Sequence, residues 1–128
     1  MSKIRSKDTK PEIIVRTFLF SRGFRYRIND KRYPGKPDIV LPKYKTIIFV
    51  HGCFWHGHKN CNASKLPETR KGFWKKKISD NTKRDRKNIR ELEKQGWNVI
   101  VVWDCEINNI NKRKKRLQQL ISEIRTIE

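Results

Sequence analysis

Two short apolar runs constrain this chain most. Thr46-Ile47-Ile48-Phe49-Val50 and Trp97-Asn98-Val99-Ile100-Val101-Val102-Trp103 are nearly continuous and rich in β-branched residues. Runs of this length and composition read as strands buried on both faces, the pattern of a sheet with parallel neighbours covered by helices. Between them lies a lysine-rich stretch whose Trp74, Ile78, Thr82, Asp85, Ile89 and Leu92 fall three and four residues apart, on one face of a helix over about 72–95. A strand, a helix and a second strand in that order predict a crossover unit and hence an α/β chain.

The remaining elements fit around this unit. Thr9-Lys10-Pro11-Glu12 is a capping box with proline in the first turn, and Ile14, Val15, Phe18 and Leu19 supply one apolar stripe up to Gly23. These predict a helix over about 10–22. Phe24, Tyr26 and Ile28 alternate with Arg25, Arg27 and Asn29 as in a half-buried strand, and Asp38-Ile39-Val40-Leu41 is a further short strand. Residues 51–67 read as a loop, Gly96 as the end of the long helix, and Ile110, Leu117, Leu120, Ile121 and Ile124 as one side of a C-terminal amphipathic helix. The expected order is α-β-β-β-loop-α-β-α, one domain over residues 1–128, with a mixed sheet and helices on both faces.

Charge narrows the function. Lys and Arg number 32 against 13 Asp and Glu, a formal net charge of +19 over 128 residues. Such self-repulsion is relieved by a polyanion, which places nucleic acid ahead of neutral small-molecule substrates. Four Trp, three Tyr and six Phe argue against a purely solvated chain. No apolar run approaches the ~20 residues of a membrane span, and Met1-Ser2-Lys3-Ile4-Arg5-Ser6-Lys7 lacks the apolar stretch of a signal peptide. A cytoplasmic protein associated with the nucleoid is expected.

Four constellations carry chemistry. His51-Gly52-Cys53-Phe54-Trp55-His56-Gly57-His58-Lys59-Asn60-Cys61 gathers every histidine and two of the three cysteines into eleven residues. Thiolates and imidazoles at this density suit Zn²⁺, which takes four tetrahedral N or S ligands. Cys105, just past the last strand, reaches the end of strand 46–50 if the two strands are parallel neighbours, so Cys53, His58, Cys61 and Cys105 are the expected structural zinc ligands. The plainer alternative is buried, unliganded cysteines beside surface histidines. Asp38, heading a short strand after Pro37, offers oxygen to Mg²⁺; alone it would more often cap its own turn. Glu12 and His56 are positioned to converge on it, although Glu12 has its capping role as well.

The segment from Arg70 to Arg90 holds ten basic residues and two acidic ones. That excess predicts phosphate contacts with strong salt dependence. Asp85 is an acid at a core-facing position in this basic run, paired with a nearby Arg or His or recruited to the site. Phe54-Trp55, adjacent aromatics in a polar loop, are candidates for a wedge pushed into the base stack.

Together, Pro34-Gly35-Lys36-Pro37-Asp38-Ile39-Val40, Ile48-Phe49-Val50-His51-Gly52-Cys53-Phe54-Trp55-His56, Thr69-Arg70, Phe73-Trp74, Arg84-Asp85-Arg86 and Trp103-Asp104-Cys105 resemble the very-short-patch-repair (Vsr) mismatch endonucleases, from about Ser6 to Glu106. The resemblance implies a restriction-endonuclease-like core of the PD-(D/E)xK type. It also implies a Mg²⁺-dependent nick 5′ of the T in a T:G mispair left by deamination of 5-methylcytosine, and a functional link to a cytosine-5 DNA methyltransferase. Carried over by position, Asp38 is the metal-binding catalytic aspartate, with the backbone carbonyl of Val50 as a second metal ligand. His56 is the acid–base group, and Glu12 and Asp85 support it and the metal waters. Cys53, His58, Cys61 and Cys105 hold zinc. Phe54, Trp55 and Trp74 intercalate beside the mismatch, Lys77 and Asn81 lie near the mispaired bases, and Met1 falls where a methionine wedges the minor groove. One site on a small monomer implies a single-strand nick. The rival reading is a non-catalytic zinc-containing DNA-binding protein. A small RNA-binding protein would explain the charge but leave Pro37-Asp38 and Phe54-Trp55-His56 without purpose.

Overall fold

The structure, a computed structural model, describes residues 9–59, 61 and 65–125. Its sheet has four strands: β1 (Arg27–Ile28), β2 (Ile39–Leu41), β3 (Thr46–His51) and β4 (Asn98–Trp103), in the order β1-β2-β3-β4. β1 and β2 pair antiparallel, as do β2 and β3, whereas β3 and β4 run parallel with Thr46 opposite Asn98 and His51 opposite Trp103. Among the described residues the α-helices are α1 (Lys10–Ser21), α2 (Lys71–Lys94), α3 (Asp104–Asn108) and α4 (Ile110–Arg125), and a 3-10 turn spans Pro42–Tyr44. The sheet is therefore mixed and the class α/β, as expected. None of the described helices is long and apolar enough to cross a membrane.

Alternate residues of β3 explain why its run is apolar throughout. Ile48 and Val50 join Val15, Leu19, Ile107, Leu117, Leu120 and Ile124, from α1, α3 and α4, on one face. Ile47 and Phe49 join Val40 and Leu92 on the other, with Ile89, Trp97, Val99 and Val101 packed around them. All six β3 residues are buried. Burying each of its four apolar side chains, Ile47 to Val50, stabilises the fold by roughly 1.5–3 kcal/mol, which makes this strand the centre of the core.

α2 shows its predicted side to the protein: Trp74, Ile78, Thr82, Asp85 and Ile89 are half-buried and Leu92 fully buried, while the lysines around them are exposed. The helix stops at Gly96, whose φ of +92° is open to glycine at no steric cost. The Trp97 amide then donates to the Leu92 carbonyl at 3.1 Å and turns the chain into β4.

Three expectations need correction. The strand expected over Phe24, Tyr26 and Ile28 shrinks to Arg27–Ile28: Phe24 and Tyr26 do pack on the core, but Ile28 is exposed, at the open edge of the sheet. α3, five residues long, is too short for a periodic signal, yet it buries Ile107 completely. Glu106 holds it by accepting from the Trp103 amide at 2.8 Å, and Arg116 of α4 pairs with the same carboxylate at 3.3 Å. Ile110, assigned to the apolar side of the last helix, is instead exposed. Asn109 caps α4, its Oδ1 accepting from the Asn111 and Lys112 amides, and the chain enters the helix with Ile110 facing outward.

Candidate active site and metal centre

The parallel β3–β4 pair brings the chemistry together. Its register carries the chain after His51 and the chain after Trp103 past the same end of the sheet. A cleft of about 510 Å³ opens there, lined by Glu12, Asp38, Val50, His51, Gly52, Trp55, His56, Asp85 and Asp104 among others. Glu12, Asp38, His56 and Asp85, drawn from a helix, a strand entry, a loop and a second helix, therefore share one cavity.

Asp38 enters from the residue before β2. Its Oδ2 accepts from the Val50 amide at 2.6 Å, and its carboxyl is hydrogen-bonded to that of Glu12. Burial first, and then the neighbouring Glu12, push Asp38 up to about 8. Since a residue's N–H and C=O leave an extended strand on the same side, the Val50 carbonyl faces the edge on which Asp38 lies. Glu12 is buried, and its own amide donates to Thr9 Oγ1 at 3.4 Å. Backbone cap and cleft carboxyl are thus separate parts of one residue, which resolves the competition between its two expected roles. Oxygen donors of this kind, from buried Glu12, half-buried Asp38 and a carbonyl, fit a hard cation such as Mg²⁺.

His56 is held twice. Its Nδ1 lies 2.6 Å from Asp85 Oδ2, so the acid in the basic run is paired with a histidine. Its ring lies flat on His51, with centroids 3.8 Å apart and planes within 6°. An ionised carboxylate only accepts, so Nδ1 carries the proton and Nε2 is left as the basic nitrogen. Burial drives His51 down to about 4, with His56 adding to the effect, so it meets its neighbour as a neutral ring. The donor atoms of His51, His56 and Asp85 lie within 4.8 Å of one another; the stack and the direct hydrogen bond already account for that closeness.

The donor atoms of Cys53, His58, Cys61 and Cys105 also lie within 4.8 Å of one another, with Cys105 Sγ 3.5 Å from His58 Nδ1. A tetrahedral ion about 2.3 Å from each sulfur needs ligands roughly 3.8 Å apart, so this group fits a metal ion with little movement. Burial pushes the Cys53 thiol up to about 12 and raises Cys105 as well, so a bound cation must displace their protons. The loop carrying Cys53 and His58 lies tight on α2, whereas Cys105 comes from α3. A Cβ on Gly57 would stand 2.8 Å from Ile78 Cγ2, and its φ of +60° further restricts the position to glycine.

Phe54, Trp55 and Trp74 are half-buried and touch ring to ring, with centroids 5.2–5.7 Å apart. Asn81 donates from its amide to the Trp55 carbonyl at 3.1 Å and ties the loop to α2, while Lys77 is exposed on the same helix. Met1 lies outside the described residues. Sequence reasoning gave no role to Asp104, His51, Phe73 or Trp103. Asp104 faces the cleft half-buried, with its carboxyl raised chiefly by burial. The Trp-Asp-Cys triplet after a strand was a usable signal for it, since the residue before a metal ligand at a strand end shares that ligand's surroundings. Phe73 stacks on the edge of Trp74 and is 47% exposed.

Comparison with known proteins agrees with this geometry. A sequence model of the family described as "DNA mismatch endonuclease Vsr" matches residues 1–63. The chain is 58% identical over 125 residues to the type II nicking enzyme V.NmeAIP of Neisseria meningitidis, covering 98% of this chain and 89% of that protein. It is 44% identical over 121 residues to the type II nicking enzyme V.XorIIP of Xanthomonas oryzae, covering 94% and 88%. It is 39% identical over 123 residues to the DNA mismatch endonuclease Vsr of Escherichia coli, covering 96% and 76%. These relatives are nucleases by name, which sets aside the non-catalytic reading. The chain belongs to the Vsr family of DNA mismatch endonucleases.

Proposed function

We propose that this endonuclease nicks one strand of duplex DNA on the 5′ side of the T in T:G mispairs left by deaminated 5-methylcytosine, as a monomeric PD-(D/E)xK-type domain over residues 1–128. The observation that carries the reading is the meeting of Asp38, Glu12 and the Asp85-oriented His56 in one cleft.

Asp38 and the Val50 carbonyl are the residues that would hold Mg²⁺, whose charge polarises a phosphate and stabilises a departing oxygen. His56 takes a proton from the attacking water at Nε2, the nitrogen that the Asp85 contact leaves unprotonated. Attack at phosphorus expels the 3′ oxygen of the preceding nucleotide, leaving a 3′-hydroxyl and a 5′-phosphate. Glu12 shares the proton and charge of Asp38 and orders water about it. Asp85 keeps the imidazole in one tautomer and stabilises the cation that forms.

Cys53, His58, Cys61 and Cys105 hold a structural Zn²⁺ that fixes the loop between β3 and α2. Phe54, Trp55 and Trp74 form the wedge, and a mispair lowers the cost of opening the stack for them. Lys77 and Asn81 lie toward the mispaired bases, and the exposed cations of α2 grip phosphates. The chemistry of the lesion links the enzyme to a cytosine-5 DNA methyltransferase, and its substrate places it with the nucleoid in the cytoplasm.

Nicking of T:G and C:G duplexes with and without Mg²⁺ tests this, alongside Asp38→Ala and His56→Ala. We expect a single nick in the T:G duplex only, lost without the metal and in both variants. Full activity in Asp38→Ala overturns the site assignment, and equal cutting of C:G overturns the mismatch specificity.

A further inference from the structure

Among the described residues, Trp103 connects the two halves of the site although it does not itself line the cleft. One face of its indole lies on His58, with centroids 4.1 Å apart and planes within 8°. It also meets His51 edge-on at 5.3 Å and 73°. His51 in turn lies flat on His56. Rings therefore run without a gap from the Cys/His group, through His58, Trp103 and His51, to His56 in the cleft. The path follows the register, because His51 and Trp103 are paired positions of β3 and β4.

The contact with Asp85 restrains His56 at one atom, Nδ1, and leaves rotation of the ring about its Cβ–Cγ bond within the tolerance of that hydrogen bond. A flat neighbour removes this freedom. Two constraints, one point and one plane, together set where Nε2 stands. A general base must lie within hydrogen-bond reach of the proton that it removes, and a misplacement of about 1 Å costs on the order of 10²-fold in rate.

Building on the reading of His56 as the acid–base group, we propose that Trp103 is a positioning residue for the nicking reaction: it fixes the plane of His56 through His51 and ties that plane to the geometry of the Cys53–His58–Cys61–Cys105 group. Leucine at 103 fills space but offers no ring edge or face. Phenylalanine keeps a smaller ring that reaches one neighbour better than both.

The test uses Trp103→Leu and Trp103→Phe in the full chain. It combines single-turnover nicking of a T:G duplex, duplex affinity, zinc content, and the ring resonances of His51 and His56 by NMR. We expect Trp103→Leu to slow nicking at least tenfold and Trp103→Phe less. Affinity should stay within twofold and zinc at one per chain, and both histidine ring signals should shift. Nicking by Trp103→Leu within twofold of wild type overturns the proposal. So does a loss that only tracks missing zinc, which marks a purely structural part. If the leucine variant does not fold, the phenylalanine variant decides: unchanged His56 resonances and an unchanged rate overturn the idea. Nicking by His56→Ala tests the role of His56 separately, and the resonances judge Trp103 even if that role fails.

Discussion

Replacing Asp38 by Asn should destroy activity while making the metal-free protein more stable. In the cleft Asp38 accepts from the Val50 amide and shares a hydrogen bond with Glu12. An Asn amide can meet both partners, its oxygen accepting from Val50 and its nitrogen donating to Glu12, so the change removes charge and little else. The carboxyl is pushed from 3.8 to about 8, chiefly by burial. A raised acid favours the folded state fully below pH ~4, where both states are protonated or nearly so. That favour is lost as the pH rises through about 8, because the unfolded chain releases its proton and the folded chain must bury a charge. At roughly 1.4 kcal/mol for each pKa unit, the whole loss is bounded near 5–6 kcal/mol. Glu12 stays buried beside the amide, so we expect a gain of about 2–3 kcal/mol at pH 8.5, roughly 6–10 °C in Tm for a chain of this length.

Thermal melts of wild type and Asp38→Asn, in Mg²⁺-free buffer without chelator from pH 5 to 8.5, measure this directly. The gap should widen with pH, and added Mg²⁺ should raise the wild-type Tm but not the variant's. A variant that melts below wild type at pH 8.5, or a gap independent of pH, refutes the argument that Asp38 is a destabilising charge awaiting a cation.

Asp85→Asn leaves His56 without a charged acceptor at Nδ1 and should cut single-turnover nicking about 10³-fold with duplex affinity unchanged; a loss of affinity instead would mean that Asp85 shapes the binding surface. Cys105→Ser should lower bound zinc below one per chain by atomic absorption and drop the Tm by roughly 10 °C, whereas an unchanged zinc content would remove Cys105 from the ligand set. Gly57→Ala should cost about 1–3 kcal/mol by denaturant melts. Ile78→Ala in the same chain should recover only the steric share of that loss, because Ile78 Cγ2 is the 2.8 Å neighbour and the positive φ remains. Raising salt from 50 to 200 mM should weaken duplex binding by about 10³-fold or more if six or more cations of α2 and its surroundings touch phosphates; a flat response would refute that grip.

Elements that repeat a period over many residues could be read before any fold was known. α2 shows its side through six positions, and β3 through an unbroken β-branched run. The zinc candidates were legible because ligand chemistry is rare and they crowd eleven residues. α3 was not, since five residues make barely one turn and its stability comes from Glu106 and a single buried isoleucine. Trp103 became meaningful only through register: its partner His51 stands far earlier in the chain, and the parallel pairing of β3 with β4 makes the two neighbours and brings Asp104 beside Gly52. His51 reads in sequence as the first residue of the ligand-rich loop; the structure instead ends β3 on it and stacks it on His56. Glu12 was ambiguous in sequence because a cap and a cleft acid use different atoms of the same residue.

The segment after β3 is pinned in close succession: Cys53 by the thiol group, His56 by Asp85, Gly57 against Ile78, His58 under Trp103 and Cys61 back at the thiols. From Cys53 to His58 a stretch fastened so often cannot gain or lose a residue without dragging the His56 ring out of the cleft or His58 away from the thiols. Between those anchors the length of the segment is set by its packing on α2 and by the ring stacks, so variation that keeps the cleft intact comes from side chains there or from the exposed side of α2.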